Sequence, residues 1–202
     1  MKAVRESVEG CVDAGVDVLT LFAFSTQNWE RPRPEISALM GLLRLYAGKE
    51  TRAFKKQGVR VKVLGRLDEV DPDTLAAVRQ MEDGTTGGDQ MQLNLMISYS
   101  GRDELVRATQ MIAERVQAGE ISPSDITDAT IEAALFTAGL PDPDLLIRTS
   151  GEQRISNFLL WQLAYTEIHT CPVLWPDFDR SHLGHAMDDF RGRNRRFGRV
   201  ST

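Results

Sequence analysis

The sequence predicts an α/β protein, a single domain with a mainly parallel sheet flanked by helices. Three observations predict it. Short apolar runs alternate with longer amphipathic stretches along the whole chain. The run at 16–24 is nearly continuously apolar, the pattern of a strand covered on both faces. The segments that leave the runs are polar, as expected where an open parallel sheet presents a ligand site at the carboxyl ends of its strands.

Each element follows in order. Val4, Val8, Cys11 and Val12 recur on one helical face, and Gly15 follows as a C-cap. The run "VDVLTLFAF" at 16–24 is expected to be a strand buried on both faces. A long amphipathic helix is expected over 35–57, carrying Ile36, Leu39, Met40, Leu43, Tyr46 and Phe54. Strands are expected at 59–65 and 91–101, with a helix over 73–82 between them. Further helices are expected over 103–118 and 124–138, then a short strand in "PDLLIRTSG", a helix over 157–165 and a last short strand in "PVLWPDF". A helix over 180–193 closes the pattern. The first helix has no strand before it, although such a helix is normally a crossover between two parallel strands. The fold is therefore expected to lack its first strand.

Composition narrows the class. A chain of 202 residues, 42% of them hydrophobic, supports one domain with a substantial core, read here as 1–202. A formal net charge of -5 argues against a nucleic-acid partner. Cys11 and Cys171 have no metal-type spacing and are expected to be reduced, buried thiols. No apolar run approaches a membrane span, and "MKAVRESVEG" has no signal-peptide core, so the expected location is cytoplasmic.

Three polar loops leave strand ends: "STQNWERP", "SYSGRDE" and "RTSGEQRIS". The third holds Arg148 and Arg154, with Ser156 placed as an N-cap before an apolar helix. Guanidinium forks beside a helix N-terminus make an anion site suited to phosphate or diphosphate. Spacing alone leaves a second reading open, two surface arginines beside an ordinary cap. Glu167 is open in the same way, a solvated carboxylate or a ligand for Mg²⁺, which prefers oxygen. Ser25, Thr26, Asn28, Trp29 and Arg31 suit a polar substrate head, or a turn that satisfies its own backbone. "HLGH" (His182 and His185) lacks a third ligand, and the arginine-rich end from Arg191 to Arg199 reads as a solvated helix face.

Taken together, "LTLFAFSTQNWERP", "RTSGEQRISNFLLWQLAYTEIH", "CPVLWPDF", "LNLMISYSGRDEL" and the closing "RRFG" resemble the cis-prenyltransferase family. The resemblance implies an enzyme that extends an allylic diphosphate, usually farnesyl diphosphate, with isopentenyl diphosphate units, using Mg²⁺. It implies isopentenyl diphosphate binding by Arg148, Arg154, Ile155 and Ser156, a magnesium-associated Glu167, and substrate contacts from Ser25, Thr26, Gln27, Trp29 and Arg31. Asn28 matches a position with a proton-accepting role, although a neutral amide is better suited to positioning. Gln27 replaces a more usual glutamate. The resemblance further implies a homodimer and a peripheral membrane contact for product release. An Asp-Gly-Asn-Gly-Arg-Trp loop, which holds Mg²⁺ and the allylic diphosphate in the family, has no match here. The chain is therefore expected to be an N-terminally truncated form, inactive and poorly stable alone. A second reading is a non-catalytic subunit that supports a catalytic partner.

Overall fold

Parallel strands are the frame of the protein, and a computed structural model describes residues 2–193 of it. The chain divides into two compact units, residues 17–141 and residues 1–16 with 142–202. Each unit holds one parallel sheet.

The first unit contains β1 (Val18–Ser25), α2 (Arg33–Lys56), β2 (Val59–Leu64), α3 (Pro72–Thr85), β3 (Met91–Tyr99), α4 (Gly101–Gln117) and the short α5 (Asp128–Glu132). Its strand order is β1-β3-β2, with β3 in the middle. Leu93, Leu95, Met96, Ile97 and Tyr99 are buried on both faces of β3, while β2 alternates buried Val59, Val61 and Val63 with Arg60 and Lys62. The two-face burial expected for the first apolar run belongs instead to β3. β1 pairs with β3 alone among the described residues, and its side chains are mostly half-buried. α2 lies against α3 and β2 through Met40, Tyr46, Ala47 and Phe54.

Glycine fixes one turn that matters later. Gly65 has φ +131, and a Cβ there would fall 2.0 Å from the Ile97 carbonyl oxygen. Only glycine lets the chain leaving β2 pass so close to the end of β3. Arg66 then donates its backbone N–H to the Ser98 carbonyl at 3.0 Å.

The second unit contains α1 (Lys2–Asp13), β4 (Leu145–Arg148), β5 (Glu167–Thr170) and α6 (Arg180–Arg191). α1 packs on α6, with Gly10 facing Leu183 so closely that a Cβ would come within 2.7 Å of it. Arg180 completes that contact through Glu9 at 2.5 Å and Asp13 at 2.8 Å. Cys11 is buried and free, and burial pushes its thiol up to about 12.

Three expected elements are absent as such. The helix expected over 124–138 reduces to a 3₁₀ turn, Pro123–Asp125, and the five residues of α5. The helix expected over 157–165 is a chain of turns, because Ser156, Asn157 and Leu159 all have positive φ. Phe158 and Leu159 are buried there without helical regularity. The last expected strand is a 3₁₀ turn, Trp175–Asp177, since Pro176 has no N–H for a ladder. The strand lies earlier, as β5, which places Glu167 at its first residue rather than at a helix end.

Candidate functional site

The residues singled out by sequence fall at two strand ends, one in each unit. Ser25 ends β1, and a 3₁₀ turn, Thr26–Glu30, follows it. Asn28 closes this turn on itself: its side-chain oxygen accepts the Ser25 backbone N–H at 2.9 Å. A neutral amide already used in this way is not a base, and it fixes the turn. Trp29 donates its indole N–H to the Ser98 hydroxyl at 2.8 Å and meets the Phe24 ring edge-on at 4.8 Å. Ser98, buried with φ 48, passes the contact on to the Glu69 carboxylate at 2.5 Å. Thr26 donates its hydroxyl to Asp103 at 2.8 Å, and Ser100 donates to the same carboxylate oxygen at 2.6 Å. Gln27 is exposed, and Arg31 pairs with Glu35 one helical turn on, at 2.8 Å. The structure thus brings Ser25, Thr26, Asn28 and Trp29 together and pins them to the end of β3 and the start of α4.

Ser98, Ser100, Asp103 and Glu69 are members of this cluster that the sequence reading did not select. The loop "SYSGRDE" had been noted as a polar strand end. The missing signal was pairing, since parallel register sets Ser25 opposite Tyr99. No single-sequence pattern reports that register.

Arg148 ends β4 in the other unit. Its Nη2 lies 3.3 Å from the Ser156 hydroxyl, a long hydrogen bond. Its buried Nε has no hydrogen-bond partner, and no carboxylate among the described residues pairs with it. A guanidinium has five N–H donors, so Arg148 keeps unused donors and an uncompensated charge. Arg154 differs. It is paired with Glu152, its side chain is 67% exposed, and Ile155 beside it is half-buried. The helix N-terminus expected after Ser156 does not form, so no helix dipole supports this loop. The polar groups gathered here are the Arg148 guanidinium and the Ser156 hydroxyl.

Glu167 stands apart from Arg148. Leu145 pairs with Glu167 and Arg148 with Thr170, so the two side chains belong to opposite ends of the small sheet. Three residue steps at ~3.3 Å separate their registers by about 10 Å, and strand alternation puts them on opposite faces. Glu167 accepts instead from Arg193, at 2.8 Å. Arg193 also donates to the Ile168 carbonyl at 3.1 Å and to Asp189 at 2.6 Å, and His169 Nδ1 lies 2.8 Å from the same Asp189 oxygen. The His169 and Arg193 contacts hold the Asp189 carboxyl below its ordinary range, and the Glu167 and Asp189 contacts raise Arg193.

Mg²⁺ takes oxygen ligands in near-octahedral geometry. Among the described residues no group of three or more His, Cys, Asp or Glu could hold a metal ion. Glu167 has a guanidinium where a cation would sit. These residues do not fit a ready-made Mg²⁺ cage. The closing "RRFG" lies outside the described residues.

The α/β chain thus carries a turn with hydroxyls and an amide at one parallel strand end, and a guanidinium with no carboxylate partner among the described residues at another. The chain belongs to the family described as "Putative undecaprenyl diphosphate synthase", which matches residues 1–198. It is 46% identical over 202 residues to an isoprenyl transferase of Geobacter sulfurreducens, covering 100% of this chain and 82% of that one. It is 44% identical over 199 residues to the "Ditrans,polycis-undecaprenyl-diphosphate synthase ((2E,6E)-farnesyl-diphosphate specific)" of Pseudomonas aeruginosa, covering 98% and 79%. Among solved structures, it is similar to lavandulyl diphosphate synthase from Lavandula x intermedia in complex with dimethylallyl diphosphate. That match has a TM-score of 0.93 and 32% identity, over 98% of this chain and 86% of the other. A probable undecaprenyl diphosphate synthase from Campylobacter jejuni matches with a TM-score of 0.85 and 33% identity, over 98% and 91%. As a member of this family the chain is a prenyltransferase.

Proposed function

We propose that the protein condenses isopentenyl diphosphate units onto an allylic diphosphate, farnesyl diphosphate foremost, to give a long-chain cis-polyprenyl diphosphate. The single observation that carries the residue assignment is Arg148, a strand-end guanidinium with an unpartnered buried Nε and a hydroxyl beside it. In this reading Arg148 and Ser156 bind the isopentenyl diphosphate head, with Arg154 and Ile155 flanking it. The turn 25–31 orients substrate through Ser25, Thr26, Gln27, Trp29 and Arg31. Asn28 acts by holding the turn's shape. Departure of the allylic diphosphate breaks its C–O bond, the isopentenyl double bond attacks the carbon so exposed, and loss of a proton restores an alkene. Donors already in place, such as Arg148, hold the isopentenyl diphosphate head at no further reorganisation cost, so that its double bond is presented to the allylic carbon.

Mg²⁺ dependence is part of the proposal on substrate chemistry, since diphosphate oxygens are hard ligands. Glu167 is the carboxylate in question. The reading also includes a homodimer, a cytoplasmic location and a peripheral membrane contact for the hydrophobic product. No helix among the described residues is long and apolar enough to cross a membrane. We treat 1–202 as one functional domain because the family match runs over both units.

The test is incorporation of labelled isopentenyl diphosphate with farnesyl diphosphate and Mg²⁺, with product length read by chromatography. Extended cis-polyprenyl products are expected. A folded protein that forms none contradicts the reading and favours the non-catalytic subunit.

A further inference from the structure

The segment that leaves β2 reaches the end of β3 and, through it, the turn that follows β1. We propose that Glu69 is a positioning residue for the condensation: through the Ser98 hydroxyl its carboxylate sets the direction of the Trp29 indole, and with it the 25–31 turn. All the residues concerned lie within the unit 17–141. The kinetic consequence rests on the reaction proposed above, whereas the hydrogen-bond chain does not.

Three observations carry it. The bonds run in one direction. Trp29 donates its indole N–H to the Ser98 hydroxyl at 2.8 Å, and that hydroxyl donates to the Glu69 carboxylate at 2.5 Å. A serine hydroxyl has one proton, so giving it to a carboxylate leaves the lone pairs for the indole. An indole N–H can only donate, so its direction follows the place of that acceptor. A chain that ends on a charge is strengthened, because each bond polarises the next.

The backbone of Ser98 is the second observation. The β1–β3 register passes from Phe24 opposite Ile97 to Ser25 opposite Tyr99, and the irregularity between them leaves Ser98 outside the pairing. Ser98 is fully buried and has φ 48. An irregularity of this kind re-aims a side chain, and a left-handed φ at a residue with a Cβ persists only where its surroundings hold it. The Arg66 backbone N–H, on the Ser98 carbonyl at 3.0 Å, is part of that hold.

The third observation is how Glu69 is itself anchored. It closes the 3₁₀ turn Leu67–Glu69, where its N–H donates to the Arg66 carbonyl at 3.3 Å. Arg66 Nη1 lies 3.3 Å from one Glu69 oxygen, and Ser98 uses the other. The segment 65–69 thus grips Ser98 by main chain and side chain together. Glu69 stands one residue removed from Trp29, so its effect on the reaction passes through the indole.

The experiment measures isopentenyl diphosphate incorporation by the full chain in a double-variant cycle of Glu69→Ala and Trp29→Phe, the second of which keeps a ring but no N–H. Circular dichroism checks the folding of each variant. Glu69→Ala is expected to lower kcat/KM about tenfold, the scale of one charge-assisted hydrogen bond. In the Trp29→Phe background the same change is expected to cost less than about twofold. Losses that add across the cycle overturn the proposal, since a merely structural carboxylate would give them. A second arm needs no substrate. In nitrogen–proton correlation spectra the Trp29 indole resonance, assigned by its absence in Trp29→Phe, is expected to move upfield in Glu69→Ala while those of Trp161 and Trp175 hold. A Trp29 resonance that stays unmoved overturns the proposal. Should Glu69→Ala fail to fold, Glu69→Gln takes its place, with the same non-additivity and the same upfield move expected. A wild type that forms no product contradicts the proposed function, and the indole resonance then decides the Glu69 assignment by itself.

Discussion

Two arginines of the same small unit show opposite states. Among the described residues, Arg148 ends β4 with a buried Nε that has no partner and a single long bond to Ser156. Arg193, at the end of α6, spends its donors on two carboxylates and a carbonyl. The side chains are chemically identical, yet one keeps donors unused among the described residues and the other is a finished structural contact. What separates them is the company each keeps. An arginine near acidic groups is neutralised within the fold, and an arginine without them retains its charge for a ligand. Counting arginines in a sequence says little until the carboxylates around each are known.

The comparison can be broken at Arg148 first, where the effect should be largest. Arg148→Ala is expected to lower kcat/KM for isopentenyl diphosphate by about 100-fold, mainly through KM, the scale for losing charge-assisted hydrogen bonds to a bound diphosphate. Arg148→Lys should restore only part, because an ammonium lacks the planar fork. Steady-state kinetics at saturating allylic diphosphate checks both.

Ser156 offers the next effect. Its φ of 50 is strained for a residue with a Cβ, while its hydroxyl touches Arg148. Ser156→Gly is expected to stabilise the fold by up to about 1 kcal/mol and yet to raise KM severalfold. Thermal melts and kinetics on one preparation separate the two terms. Stabilisation without loss of affinity would detach Ser156 from the site.

Arg154 sharpens the contrast, since it lies in the open loop but is already paired with Glu152. Arg154→Ala should cost less than about threefold in KM, because an exposed, screened pair contributes little. Glu152→Gln should lower KM instead, by releasing the guanidinium.

The smallest effect is one of pH. Asp179 caps α6, and the His182 backbone N–H it accepts holds its carboxyl below the usual 3.8. A depressed folded pKa stabilises the fold fully above the unfolded value of 3.8 and loses that contribution as pH falls through the folded one. α6, and with it the Arg193 clamp, should therefore loosen only below about pH 4. Asp179→Asn should flatten that acid limb in melts followed against pH.

Much of this was legible in the sequence. The alternation of β2 and the register of apolar positions in α2 are properties of local pattern, and they survive in the structure. The apolar stretch at 157–165 is as greasy as a helix face but folds as turns: Ser156, Asn157 and Leu159 have positive φ, and Phe158 and Leu159 are buried without helical regularity. β1 and β3 look alike as strings, and only strand order makes one central and the other an edge. The same limit hid Asp103 and Ser98 from the turn at 25–31. Arg193 was read as part of a solvated basic face, since no sequence pattern links residue 193 to residue 167. Glu167 opens β5 and Arg193 follows the end of α6, and their meeting is a tertiary event.

One measurement tests the contrast between the two arginines most directly. Calorimetry of inorganic diphosphate binding, without added divalent cation, compares wild type, Arg148→Ala and Arg193→Gln. The account predicts at least about tenfold weaker binding in Arg148→Ala and a change below about twofold in Arg193→Gln. Weaker binding in Arg193→Gln, with Arg148→Ala unchanged, would contradict it.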